Sequence, residues 1–181
     1  GVDYAVSTDA DIYLFNIETK SDRNLCKPEG YVEPKIDYTK SMRNQAVNHQ
    51  AGDMNVGYDV NPRFSPDGKY VAWLSMEHDG YESDRNRLCI YELATGKKTY
   101  VTESFDSNVD DYCWNTDSKT LYFIRCWHAT VNAYQTNLKG EVKKLTEGQH
   151  NYVALQLLGN TGKLLGTRQS MSVPNDLYVI K

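Results

Sequence analysis

The chain has 181 residues, 40% of them hydrophobic and 24% charged, with a net charge of −4. This composition excludes a disordered chain, and its scattered Lys and Arg exclude the basic face that a nucleic-acid binder needs. The longest apolar runs, such as Tyr70 to Leu74, are about five residues, against roughly 20 for a membrane helix.

In chain order, the first ordered signal is "DIYLFNIETKSDRNLCKP" from Asp11. It reads as a strand, a turn and a second strand, so residues 3–26 are expected to form half of a β unit. Residues 27–59 follow as a long, polar, aperiodic stretch. A loop of that length is a functional cover or an insertion with its own structure.

Residues 60–104 form the clearest unit. Asn61 to Phe64 can be extended, and Ser65-Pro66-Asp67-Gly68 is a turn by residue chemistry: Pro presets one dihedral, Asp caps, and Gly accepts positive φ. Lys69 to Met76 reads as a strand, Glu77 to Asn86 as a polar loop and Arg87 to Leu93 as a strand. Ala94 to Lys97 makes a turn, and Lys98 to Thr102 a fourth strand.

Residues 109–148 repeat this order. Trp114 stands fifty residues after Phe64, Asn115-Thr116-Asp117-Ser118 replaces the first turn, and Leu121 to Cys126, Ala133 to Leu138 and Val142 to Leu145 are the later strands. Residues 152–181 hold a weaker copy. It has a turn at Gly159 to Gly162, a strand from Lys163, a loop through Pro174 and a strand at Leu177 to Ile180. The run Gly159-Asn160-Thr161-Gly162-Lys163 lacks the spacing of a phosphate loop and suits a hairpin.

Four-stranded units recurring every 40 to 50 residues are the signature of β-propeller blades. Helical periodicity is missing, and the 14 tyrosines agree with sheet. The expected fold is therefore all-β, a partial propeller of about three to four blades. Trp73, Trp114, Trp127, Phe64 and Phe123 are expected to pack between blades.

Cys26, Cys89, Cys113 and Cys126 form no CxxC pair, and with four histidines they show no zinc spacing. They read as small buried side chains. No metal and no cofactor is expected. The first residue is Gly1, as at a processed or recombinant end, and no signal peptide is visible.

The run "GYDVNPRFSPDGKYVAWLSMEHDGYESDRNRL", with "LYFIR", "KKLTEG" and "RQSMSVPNDLYVI", resembles the propeller domain of the prolyl oligopeptidase family of serine peptidases. The similarity is to its bacterial dipeptidyl-peptidase five branch, and it covers most of the chain outside Lys27 to roughly Met54. The resemblance implies a periplasmic or secreted enzyme whose propeller admits and positions a peptide for an α/β-hydrolase domain. That domain would supply a Ser, Asp and His triad, with the Ser on a Gly-x-Ser-x-Gly elbow. No such elbow occurs in these 181 residues. No catalytic residue is expected here, and Ser65, Ser75, Ser170 and Ser172 read as turn or loop serines.

What remains is recognition. The turns after the first and third strands of each unit are short. The loops between second and third strands, Glu77 to Asn86 and Trp127 to Asn132, are expected to be long and to lie at the other end, where recognition usually sits. Glu77, Asp79, Tyr81, Glu82 and Asp84 form the densest cluster. A dipeptidyl peptidase must bind a peptide ammonium, and paired carboxylates suit that task. The alternatives are a solvated acidic loop, an ion-pair network with Arg85 and Arg87, or calcium. A standalone periplasmic interaction module is the competing reading of the whole chain, and a sugar-binding propeller a further one. Exposed strand edges on the terminal units would favour oligomers.

Overall fold

The computed structural model describes residues 9–32, 39, 55, 57–78 and 84–180. Among them there is no helix. Thirteen strands make four antiparallel sheets, which follow one another along the chain.

The first sheet pairs β1 (Tyr13–Asn16) with β2 (Ser21–Asn24). The second is a meander of β3 (Asp59–Phe64), β4 (Tyr70–Ser75), β5 (Arg87–Glu92) and β6 (Lys98–Tyr100). The third repeats it with β7 (Asp111–Trp114), β8 (Thr120–Trp127), β9 (Thr130–Asn137) and β10 (Val142–Lys144). The fourth has β11 (Tyr152–Leu157), β12 (Leu164–Ser170) and β13 (Val173–Ile180).

The turn chemistry explains the meander. In the Ser-Pro-Asp-Gly turn, Ser65 Oγ lies 2.7 Å from Asp67 Oδ1 and accepts the Tyr70 N–H at 3.0 Å. Asp67 Oδ1 accepts the Lys69 N–H at 3.1 Å, and Gly68 takes a φ of +71°. Fifty residues on, Asp117 repeats the cap, accepting from Lys119 and Thr120. Ser118 there holds φ at +54°, where the first copy has glycine.

Apolar runs replace alternation in β4 and β5 because both faces of the sheet are covered. The pleat sends successive side chains to opposite sides. Val71, Trp73, Cys89 and Tyr91 pack backward on Ile12, Leu25 and Cys26. Ala72, Leu74, Leu88 and Ile90 pack forward on Tyr112, Trp114, Leu121, Phe123 and Tyr134. The third sheet does the same, burying Cys113, Ile124 and Ala133 against Tyr152, Leu155, Leu164 and Ile180 of the fourth. Such face-to-face succession of four-stranded units is the build of a propeller, here a partial one.

Polar bonds tie the same seams. Tyr112 OH lies 2.5 Å from Asn61 O and 2.7 Å from Ala72 O. Trp114 Nε1 donates to Arg63 O at 3.1 Å. Asp111 spans three sheets, since it pairs with Arg63 at 3.0 Å and accepts the Leu155 N–H at 3.1 Å.

Several expectations are corrected. Trp127 to Asn132 is not a long loop: β8 and β9 run on to a two-residue turn, His128-Ala129, with Trp127 opposite Thr130. Both turn residues have positive φ, +48° and +60°, a conformation usually marked by Asn or Gly. Pro174 is likewise no loop residue but lies within β13, and Ser170 stands opposite Val173 across the turn. β13 is an edge strand and its register shifts between Arg168 and Ser170, which is where a proline without an N–H is tolerated. Phe64 and Trp127 are exposed, whereas Trp73, Trp114 and Phe123 are buried between sheets. Cys126 is exposed because it stands at the protruding end of β8; the other three cysteines are buried, and all four are free thiols.

Candidate functional site

Meander topology sorts the connections. Turns 65–69, 93–97, 115–119 and 138–141 emerge at one end of the sheets. The 76–86 loop, the 128–129 turn and the inter-sheet links 101–110 and 145–151 emerge at the other, called here the loop face. The first end is trimmed to tight turns. The loop face carries the long segments.

Of the expected cluster, Asp79, Tyr81 and Glu82 lie outside the described residues. Glu77 and Asp84 are placed at the two roots of the loop, and they do different things. Asp84 Oδ2 accepts the N–H groups of Glu77 and His78 at 2.9 and 2.7 Å, and lies 3.0 Å from His78 Nδ1. Its Oδ1 accepts the Arg85 N–H at 2.9 Å. Partial burial works against its charge, yet these hydrogen bonds prevail and hold its carboxyl below the usual range. Asp84 closes the loop.

Glu77 faces a cation. Arg87 is buried, with its guanidinium 4.1 Å above the Tyr100 ring. It lies 3.8 Å from Glu77 Oε2 and 3.2 Å from Glu103 Oε2. Arg85 approaches Glu103 Oε1 at 3.5 Å. One buried arginine thus holds two carboxylates that remain about half exposed, Glu77 at 49% and Glu103 at 54%. Arg85 and Arg87 form an ion-pair network at this loop, engaging both oxygens of Glu103 and one of Glu77, while both glutamate side chains still reach solvent. Glu103 escaped the sequence reading. Its signal was its place just after a fourth strand, which the meander carries to the same end as the 76–86 loop.

A second polar cluster is buried where the first sheet meets the second. Asp59 accepts from Trp73 Nε1 at 2.8 Å and from Asn55 Nδ2. Asn55 also meets Tyr100 OH and Ser75 Oγ. Burial pushes the Asp59 carboxyl up to about 6. Lys27 Nζ sits 2.9 Å from Asp9 and 3.0 Å from Asp11; burial would lower its pKa, but the two carboxylates outweigh it and raise it. Asp11, Cys26 and Asp59 bring ligand atoms within 4.8 Å of one another. They make a poor metal site. Lys27 already neutralises Asp11, Trp73 and Asn55 occupy Asp59, and burial keeps the Cys26 thiol protonated.

A succession of packed antiparallel meanders, two of them four-stranded, defines the chain as a partial β-propeller. The comparisons narrow this. No protein-family model matches the chain. It is 39% identical to dipeptidyl-peptidase 5 of Porphyromonas gingivalis over 179 residues, and 41% identical to that of Porphyromonas endodontalis over 181. These alignments cover 98% and 99% of this chain and 22% of each relative, so the chain spans about a fifth of their length. Among solved structures, an acylaminoacyl peptidase from Pyrococcus horikoshii superposes with a TM-score of 0.61 at 17% identity, covering 96% of this chain and 22% of that one. TolB from Acinetobacter baumannii gives 0.59 at 14% identity, over 97% and 36%. The β-propeller domain of the Trilobed protease from Pyrococcus furiosus gives 0.53 at 15%, over 92% and 54%. At such identities these three speak for the fold alone. The homologues named dipeptidyl-peptidase 5 and the propeller fold of the structural neighbours bear out the resemblance to the propeller part of prolyl oligopeptidase-type peptidases.

Proposed function

We propose that this chain is the non-catalytic propeller segment of a secreted or periplasmic dipeptidyl peptidase. In it the segment gates access to an α/β-hydrolase domain and positions the peptide. The observation that carries this reading is the 39–41% identity to dipeptidyl-peptidase 5 along nearly the whole chain.

The site residues divide the work. Glu77 and Glu103 present half-exposed carboxylates on the loop face; Arg87 holds one oxygen of each, and Arg85 the second oxygen of Glu103. A peptide ammonium would take the remaining oxygen of Glu77, and the exposed edge of Glu103 beside it, as charge-assisted acceptors. Asp84 keeps the loop closed, and Asp79, Tyr81 and Glu82 are the further contacts the loop offers. Exposed apolar side chains flank both ends of the sheet array, Phe15 and Ile17 at one and Leu177 and Val179 at the other. They support burial against further blades or a second copy.

The test is titration of the chain with a dipeptide amide bearing a free amine, and with its N-acetyl form, followed by calorimetry. The free amine should bind, and Glu77→Gln and Glu103→Gln should each weaken it by about tenfold, the loss of one charge-assisted bond. Equal binding of the acetylated peptide would refute the ammonium role. Cell fractionation of the source organism tests the location, and a cytoplasmic pool would overturn it.

A further inference from the structure

One face of β8 carries Leu121, Phe123, Arg125 and Trp127 in turn. The first two are fully buried, Arg125 is half-buried and Trp127 is 46% exposed. The strand therefore climbs out of the core and ends at the loop face. Arg125 sits at the crossing. Its guanidinium carbon lies 3.8 Å from the Phe105 ring centroid, 4.9 Å from Trp127 and 5.1 Å from Tyr134. Phe105 comes from the link between the second and third sheets, which is pinned to β8 by Ser107 Oγ donating to Cys126 O at 2.9 Å.

This cation has rings but no counter-charge. Among the described residues no carboxylate pairs with Arg125, and its buried Nε has no hydrogen-bond partner. By contrast, Arg85 and Arg87 on the same face are both paired with Glu103. Stacking on rings fixes the plane of a guanidinium while leaving its N–H edge free for a planar acceptor. Beyond it, Trp127 and His128 stack at 4.6 Å with planes 15° apart, forming an exposed aromatic shelf. The turn that holds the shelf puts His128 and Ala129 at φ of +48° and +60°.

We propose that Arg125, with the Trp127–His128 shelf beside it, binds the carboxylate of a peptide segment. One unpaired guanidinium matches one negative charge, and a carboxylate meets its N–H edge in two parallel hydrogen bonds. The exposed indole offers an apolar surface to the neighbouring side chain of the same peptide. The site does not depend on the ammonium role of Glu77 and Glu103, and blocked peptides separate the two.

The experiment uses the 181-residue chain and three N-acetylated tripeptides of one sequence: a free C-terminal acid, its amide, and an amide with Asp at the last position. Arg125 Nε–H is followed by NMR, and affinity by calorimetry. The site predicts that an acid-bearing peptide binds at least tenfold tighter than the plain amide and shifts the Arg125 Nε–H signal. Binding of the free acid alone assigns a peptide C-terminus, and binding of the Asp peptide assigns an acidic side chain; either supports the site. Arg125→Gln should bring the acid down to the affinity of the amide, and Trp127→Ala should weaken every peptide that binds. Should Arg125→Gln fail to fold, the acid-to-amide ratio and the Nε–H shift in the unaltered chain decide. Equal affinity for acid and amide, an unmoved Nε–H signal, or tighter binding of inorganic phosphate than of the acid overturns the proposal.

Discussion

Trp73 Nε1 donates to Asp59 Oδ1 at 2.8 Å, so the largest fully buried side chain is tied to a buried carboxylate. Asp59 titrates at about 6 in the folded chain against an ordinary 3.8, raised chiefly by burial. Between those values the folded state holds the proton more tightly than the unfolded one. The contribution to stability is therefore fully present below pH 3.8 and is lost as pH rises through about 6. Above that, a fixed penalty on the order of 3 kcal/mol remains. Asp59→Asn keeps an acceptor for Trp73, and Asn55 can turn its amide to suit. Urea midpoints of both proteins at pH 4.5 and 7.5 check this: the variant should gain relative to the parent at the higher pH. An equal difference at both pH values would contradict it.

Ser118 Oγ accepts the Asp67 N–H at 3.0 Å, joining the corresponding turns of neighbouring sheets. Ser118 is buried and holds φ at +54°. Ser118→Ala should lose roughly 1 kcal/mol with the hydroxyl. Ser118→Gly loses the same bond but relieves the backbone by a comparable amount, so its midpoint should lie between the two. Thermal unfolding of the three proteins decides the order.

Arg87→Met tests the ion-pair hub. The change keeps an apolar stem over Tyr100 but frees Glu77 and Glu103. Because both glutamates reach solvent, the expected loss is about 1–3 kcal/mol rather than the larger cost of a fully buried orphan. Arg87→Lys should recover only part of it, since an ammonium cannot stack and fork at once. Chemical denaturation measures both.

Asp84→Ala should open the 76–86 loop without unfolding the sheets. The carboxylate receives three backbone N–H groups, so amide exchange at Glu77 and His78 should accelerate by about tenfold or more. Its carboxyl lies below the usual range, so in the parent the closure persists above the ordinary carboxylate pKa. It is lost as pH falls through the folded value. Unchanged exchange in the variant would show that other contacts hold the loop.

The chain itself should be inert toward a fluorophosphonate serine probe and a dipeptidyl reporter, since none of its serines sits in a nucleophile elbow. Labelling of any serine would contradict this.

How far the sequence reached depended on what each residue type can signal. Ser65 to Gly68 announced its turn because proline, aspartate and glycine each solve one backbone problem, and the paired apolar runs around it announced a sheet covered on both sides. His128 and Ala129 announced nothing, because neither residue is a usual occupant of positive φ; a hairpin therefore looked like a loop. Pro174 misled in the opposite sense, since an edge strand can hold a proline that a central one cannot. Glu77 and Asp84 were visible as acids, but only coordinates separate the one held by Arg87 from the one that folds back on the backbone. Arg125 was invisible as a candidate: its three rings come from β8, β9 and a link some twenty residues upstream, and no local pattern joins them.

The pleat of β4 has a consequence for evolution within this architecture. Trp73 and Leu74 are neighbours in the chain but belong to different seams. A volume change at one is answered by partners on the preceding sheet, at the other by partners on the following sheet. Drift in such a strand can therefore proceed along two independent lines of compensation at once. An inserted or deleted residue would swap the two lines and spoil both, so substitutions should accumulate there far more readily than length changes.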